Sequence, residues 1–133
     1  MSSLPLFCLD THAIYWRRIA SPKLSAPAAQ VYQDGIDGKA ILMVPHIVVA
    51  ELFYLLRKHG HVALYVPMLA DFQTLPYYRL EPLTLGDLAA LDSIVEIPEM
   101  HDRLIALAAK RLGATLVTKD ATIYASAQVK CLW

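Results

Sequence analysis

Short, almost wholly apolar runs alternate along this chain with segments whose apolar residues recur at helical spacing. Leu6-Phe7-Cys8-Leu9, residues 40–44 and residues 114–117 are runs of the kind buried on both faces of a parallel sheet. Residues 78–83 read as a further strand, and Pro82 marks it as an edge. Residues 129–132 read as the last strand. Helices fill the gaps. One starts at Thr11. One is capped by Ser25, carries Pro27 at an early helical position and runs to about Gly35. One opens at Pro45, runs through His59 and stops at Gly60. Residues 61–74 make another, in which Pro67 predicts a kink or two short helices. Thr84 caps a helix holding Leu85, Leu88, Ala89, Ala90 and Leu91, with Asp87 as a capping-box partner. Asp102 stands at the mouth of a helix in which Leu104, Ile105, Leu107, Ala108 and Leu112 line one face. Lys110 and Arg111 occupy its last turn and Gly113 its C-cap. Residues 121–127 form a short helix or loop. Strands alternating with helices predict an α/β fold, a mostly parallel five-stranded sheet flanked by helices, as a single domain over residues 1–133.

Composition narrows this picture. More than half of the 133 residues are apolar, which excludes disorder for most of the chain. A formal net charge of zero argues against a protein that grips nucleic acid with its whole surface, and leaves room for a local basic rim. Cys8 and Cys131 lie in strand-like runs and read as buried free thiols of a reducing cytoplasm. Asp10 arrives too early for a signal peptide. The apolar stretch over residues 41–56 is broken by Pro45, His46 and Glu51, so no membrane span is expected.

The chemistry lies in the acids. Right-handed crossovers bring the carboxyl ends of parallel strands to one sheet edge. Asp10 and Asp120 leave their strands at that edge, and Glu51 and Asp102 sit early in helices that begin there. Alone, Asp102 could do no more than favour a helix N-terminus, and Asp120 could be an Asx-turn acid. Glu51 differs, because its helical neighbours Ile47, Val48, Tyr54 and Leu55 leave little polar face, and a lone buried carboxylate is costly. Four carboxylates on one rim call for a cation or for shifted pKa values. An oxygen-only set suits Mg2+ or Mn2+, and no Cys/His spacing of the zinc kind is present. The chemistry implied is phosphodiester hydrolysis by an activated water. Asp10 and Asp102 are expected as direct metal ligands, with Glu51 and Asp120 direct or through water.

The segments Leu9-Asp10-Thr11-His12-Ala13-Ile14-Tyr15-Trp16, residues 48–56, residues 101–120 and the terminal Val129-Lys130-Cys131-Leu132-Trp133 resemble the PIN-domain ribonucleases. More narrowly they resemble the VapC toxins of toxin–antitoxin pairs. The resemblance implies a Mg2+- or Mn2+-dependent ribonuclease with Asp10, Glu51, Asp102 and Asp120 as one catalytic site. It implies a supporting role for Thr118, and Thr11 beside the first acid is read as a second support. It also implies an RNA substrate, a cognate VapB-like antitoxin and a strand order of 3-2-1-4-5. The chain departs from the family pattern at Pro45-His46, where many relatives carry serine or threonine, and at Glu99-Met100-His101.

Two other acid-rich α/β readings fit less well. A phosphoacceptor receiver domain wants paired acids after its first strand, and here Asp10 stands singly. A haloacid-dehalogenase phosphatase wants an aspartate where His12 stands. A PIN fold used only for binding is opposed by the intact quartet. His12, His46 and His101 adjoin three of the acids, as hydrogen-bonding neighbours or as a general acid. Arg17, Arg18, Arg103 and Lys119, with Arg57 and Lys58, fall near the same rim as candidate phosphate contacts or as ordinary surface charge. Trp16, Tyr54, Tyr65 and Phe72 are candidates for docking an antitoxin or a second subunit, with core packing the competing reading. A homodimer through the Glu51 helix and the one after it is expected.

Overall fold

The computed structural model describes residues 3–133. Five strands, β1 (Leu6–Leu9), β2 (Ile41–Pro45), β3 (Tyr78–Glu81), β4 (Thr115–Val117) and β5 (Cys131–Leu132), form one sheet in the order β3-β2-β1-β4-β5. Every pairing is parallel, with Phe7 opposite Leu42 on one side and Thr115 on the other. The apolar runs have the burial that a sheet covered on both faces demands, since Cys8, Leu9, Leu42, Val44, Leu116 and Val117 are all sealed from solvent. β3 is an edge strand as expected, and Pro82 falls just past its end. A receiver domain would show the order 2-1-3-4-5, so the topology excludes that reading.

Among the described residues seven helices flank the sheet: α1 (Thr11–Arg18), α2 (Ala26–Ile36), α3 (His46–Lys58), α4 (Tyr65–Thr74), α5 (Leu85–Ala89), α6 (Met100–Leu112) and α7 (Ala121–Ala125). Local chemistry sets most boundaries. Ser25 accepts from the Ala28 amide, Thr84 accepts from the Asp87 amide, and Gly113 closes α6 at φ 65°, where an L side chain is strained. The order reverses between β1 and β4. That switch point puts the start of α1 beside the loop after β4, the crevice where open α/β sheets hold ligands.

Four expectations need correction. Of the two alternatives for residues 61–74 the structure has two short helices, and the break does not fall at Pro67. A 3-10 turn at Val62–Leu64 precedes α4, and Pro67 lies in the first turn of α4, where its missing N–H has no helical acceptor to lose. Asp87 makes no capping box; it is 3% exposed and its carboxylate takes both Nε and Nη2 of Arg111. The apolar side of α5 is therefore turned out, with Leu85 82% exposed. α6 begins at Met100, because Glu99 caps it through the Asp102 amide. Of the two thiols, Cys8 is buried, and burial pushes its pKa far up, whereas Cys131 is only half-buried.

Candidate active site

The four acids meet. Asp10, Glu51, Asp102 and Asp120 line one open cleft of about 570 Å3 at the carboxyl edge of the sheet, together with Thr11, His12, Trp16, Tyr54, Leu55, Lys58 and Lys119. Each reaches it for a local reason. Asp10 ends β1 and caps α1, and Asp120 follows β4 and caps α7 through the Ile123 amide. Glu51 lies in the second turn of α3, and Asp102 in the first turn of α6.

Hydroxyls hold two of the carboxylates in place. Thr118, 1% exposed, donates to Asp10 Oδ2 at 2.6 Å, and its oxygen accepts from the Asp120 amide at 3.1 Å. Thr11, also buried, donates to Glu51 Oε1 at 3.0 Å, and its amide donates to Asp10 Oδ1 at 2.7 Å. Both threonines thus tie one acid to another. His101 Nδ1 lies 3.0 Å from Glu99 and 3.6 Å from Glu51. Glu99 is a fifth carboxylate at this edge that sequence reading passed over. The signal was available, since a Glu three residues before Asp102 suits a helix cap.

The electrostatics are those of crowded, partly desolvated anions. Burial first, and then the charges of Asp120, Glu99, Asp10 and Glu51, raise the Asp102 pKa to about 7. Burial also raises Asp10 and Glu51, against the hydrogen bonds from Thr118 and Thr11. Desolvation lowers His12, with Asp10 pulling the other way. Among the described residues no three His, Cys, Asp or Glu side chains are close enough to make a protein-only metal cage. Mg2+ does not need one: it keeps several waters and is commonly held by one or two carboxylates plus substrate phosphates. An all-oxygen set in which Asp102 has no side-chain partner among the described residues, in a cleft of clustered negative charge, fits such an ion.

The other candidates are dispersed. Lys119 and Lys58 line the cleft. Arg17 and Arg18 line a separate recess beside Tyr32, Tyr77 and Tyr78, with the Arg17 guanidinium 5.3 Å from the Tyr32 ring centre. Arg103 directs its guanidinium at the carbonyls of Ile97, Leu91 and Val95, where it anchors the segment leading into α6. His46 sits against Glu81 and Pro82, outside the cleft. Phe72 is core, and Tyr65 donates to the Val49 carbonyl, while Tyr54 stands 69% exposed.

The PIN domain family matches residues 7–128, and the chain belongs to that family. Among solved structures, it resembles VapBC2 from Rickettsia felis bound to a promoter DNA fragment, at 18% identity and a TM-score of 0.73, covering 96% of this chain and 97% of that one. The FitAcB structure from Neisseria gonorrhoeae matches at 19% identity and a TM-score of 0.68, covering 95% and 96%. Mycobacterium tuberculosis VapC20, described as a Sarcin-Ricin loop cleaving toxin, matches at 16% identity and a TM-score of 0.71, covering 93% and 98%. At these identities the likeness is one of fold. No curated protein matches the chain.

Proposed function

We propose that this PIN domain is a Mg2+- or Mn2+-dependent ribonuclease and the toxin of a toxin–antitoxin pair. The observation that carries the reading is the convergence of Asp10, Glu51, Asp102 and Asp120 on one cleft where, among the described residues, no lysine or arginine pairs with them. Asp10 and Asp102 are the proposed direct ligands; Glu51 and Asp120 act directly or through water. A bound divalent ion would supply neutralisation of phosphate charge and a lower pKa for a coordinated water. The chain's own residues do the rest. Thr118 and Thr11 fix the rotamers of Asp10 and Glu51. The carboxylates of Glu51 and Asp120, which line the cleft, orient the attacking water. Lys58 and Lys119 hold substrate phosphates.

The toxin reading is supported by the shared fold of VapBC2, FitAcB and VapC20. It brings a VapB-like antitoxin, an RNA target and a cytoplasmic place of action. No helix among the described residues is long and apolar enough to cross a membrane. Val62, in the turn before α4, and Val66, on α4, are exposed, Val66 by 73%, and support a homodimer through that face.

The test is incubation of purified protein with structured RNA in Mg2+ and in EDTA, beside induction of wild type and Asp10→Asn in growing cells. Cleavage only with Mg2+, and growth arrest only with the wild type, are expected. Intact RNA under both conditions would overturn the nuclease reading. Equal growth of both strains at equal protein levels would remove the toxin reading.

A further inference from the structure

We infer that Trp16 and Tyr54, which both line the acid cleft, are base-stacking residues that seat unpaired nucleotides beside the phosphate to be cut. The inference rests on the ribonuclease reading and names the residues that select its substrate.

α3 and α1 line the cleft in similar ways. On α3, Glu51, Tyr54, Leu55 and Lys58 fall at helical spacing, and all four line the cleft. α1 presents His12 and Trp16, one turn apart, and the loop after β4 adds Lys119. Each of the two sets therefore brings an aromatic ring and a lysine to the cleft. Tyr54 is 69% exposed, meets Phe53 edge-on at 5.2 Å, and makes no side-chain hydrogen bond among the described residues. Core packing does not explain a ring so placed. Trp16 is half-buried. Trp133 braces it edge-on at 5.7 Å, His12 leans on it at 4.9 Å, and the ammonium groups of Lys119 and Lys23 lie 5.4 and 5.8 Å from its ring centre. Beyond Lys119 a second hollow continues to Tyr124 and Trp133.

The floor of acids repels a polyanion, so binding free energy has to come from the walls. Stacking of a base on an aromatic ring does not depend on charge and is worth about 1–3 kcal/mol per base, while lysines beside the rings take the adjoining phosphates. A base in a duplex has both faces covered and cannot lie on a side-chain ring. The walls thus select unpaired RNA with little regard to sequence.

The experiment uses a short fluorescently labelled RNA, single-stranded and annealed to its complement, and follows anisotropy in EDTA and, on an Asp120→Asn background, in Mg2+. Trp133→Phe leaves Trp16 as the one tryptophan, since the chain has two, and its emission reports stacking directly. The single strand is expected to bind at least about tenfold more tightly than the duplex and to quench Trp16. Tyr54→Ala, at an exposed position, should weaken single-strand binding about tenfold with an unchanged melting temperature, and Tyr54→Phe should restore it. Trp16→Phe should bind and Trp16→Leu should not. Equal affinity for the two RNAs, an unchanged affinity in Tyr54→Ala, or no single-strand binding in either buffer would overturn the inference. If the strand binds and quenches as described but wild-type protein never cuts RNA in Mg2+, the stacking walls stand and the nuclease reading falls.

Discussion

Two clusters of acids in this molecule solve the same electrostatic problem in opposite ways. At the end of β3, Glu81 and Asp87 share Arg111, which reaches Glu81 at 2.8 Å and Asp87 through two bonds of 3.0 and 3.1 Å. Those hydrogen bonds push the arginine's pKa up, and the cluster ties β3 and α5 to the last turn of α6. In the cleft, among the described residues, Asp10, Glu51, Asp102 and Asp120 receive only threonine hydroxyls, backbone amides and a histidine edge. A fold that can place an arginine beside acids, and does so a short way along α6, leaves the cleft without one. The difference separates acids that hold the structure from acids left free to hold something else.

The largest way to break the comparison is in the cleft. Single amides at Asp10, Glu51, Asp102 or Asp120 are expected to lower single-turnover RNA cleavage by about a hundredfold or more, ~3 kcal/mol. Melting temperatures should hold or rise, because each amide relieves repulsion. Double amides should lose far less than the sum of the singles. Metal titrations should show Mn2+ binding weakened most by Asp10→Asn and Asp102→Asn. Near wild-type cleavage in all four singles would show that the cleft is not the active site. The paired cluster should respond in reverse. Arg111→Met strands a buried Asp87 and is expected to cost about 3 kcal/mol in urea unfolding, with cleavage per folded molecule unchanged. Adding Asp87→Asn should recover part of that loss.

The pH response sharpens the contrast. Asp102 in the folded protein has its pKa raised to about 7 from an unperturbed 3.8. A raised folded-state pKa on an acid means that the native state holds a proton the unfolded chain has lost. Stability of the metal-free protein therefore falls as pH rises from about 4 to about 7, and stays low above that. Asp10 and Glu51 are shifted in the same direction and add to the trend. Thermal melts in EDTA should show a lower midpoint at about pH 8 than at about pH 5. Asp102→Asn should flatten the curve, and Mn2+ should restore the high-pH midpoint. A flat wild-type profile would contradict the crowded-anion account of the cleft.

What could be read from the sequence divides along the same line. Strand runs, the caps at Ser25, Thr84 and Gly113, and the acids at strand ends are written in neighbouring residues, so pattern and local chemistry expose them. The Arg111 cluster is not, because its partners are 24 and 30 residues away. Missing that pairing is why Asp87 read as a capping-box partner: an ion pair holds it in the buried position of α5, and Leu85 faces out. Arg103 was hidden for a similar reason, since its acceptors are backbone carbonyls that no pattern marks. Glu99 was legible as a cap and passed over because the acid at Asp102 seemed to explain the helix start.

The smallest expected effect tests the hydroxyls that replace a cation in the cleft. Thr118 is sealed from solvent and touches two of the four acids, donating to Asp10 and accepting from the Asp120 amide. Thr118→Val keeps the shape and removes both bonds. The Asp120 amide then lacks a partner, which costs about 1 kcal/mol of stability. Asp10 loses the first of the hydrogen bonds that oppose its burial, so its pKa should climb further and its hold on a cation weaken. Cleavage is expected to drop about tenfold, ~1.4 kcal/mol, well short of the loss in Asp10→Asn. A merely structural threonine would lower the melting temperature and leave the Mg2+ concentration for half-maximal cleavage where it was. A positioning threonine shifts that midpoint upward, and Thr118→Ser, which keeps the hydroxyl, brings it back. Mg2+ titrations of the three proteins at one pH decide between the two.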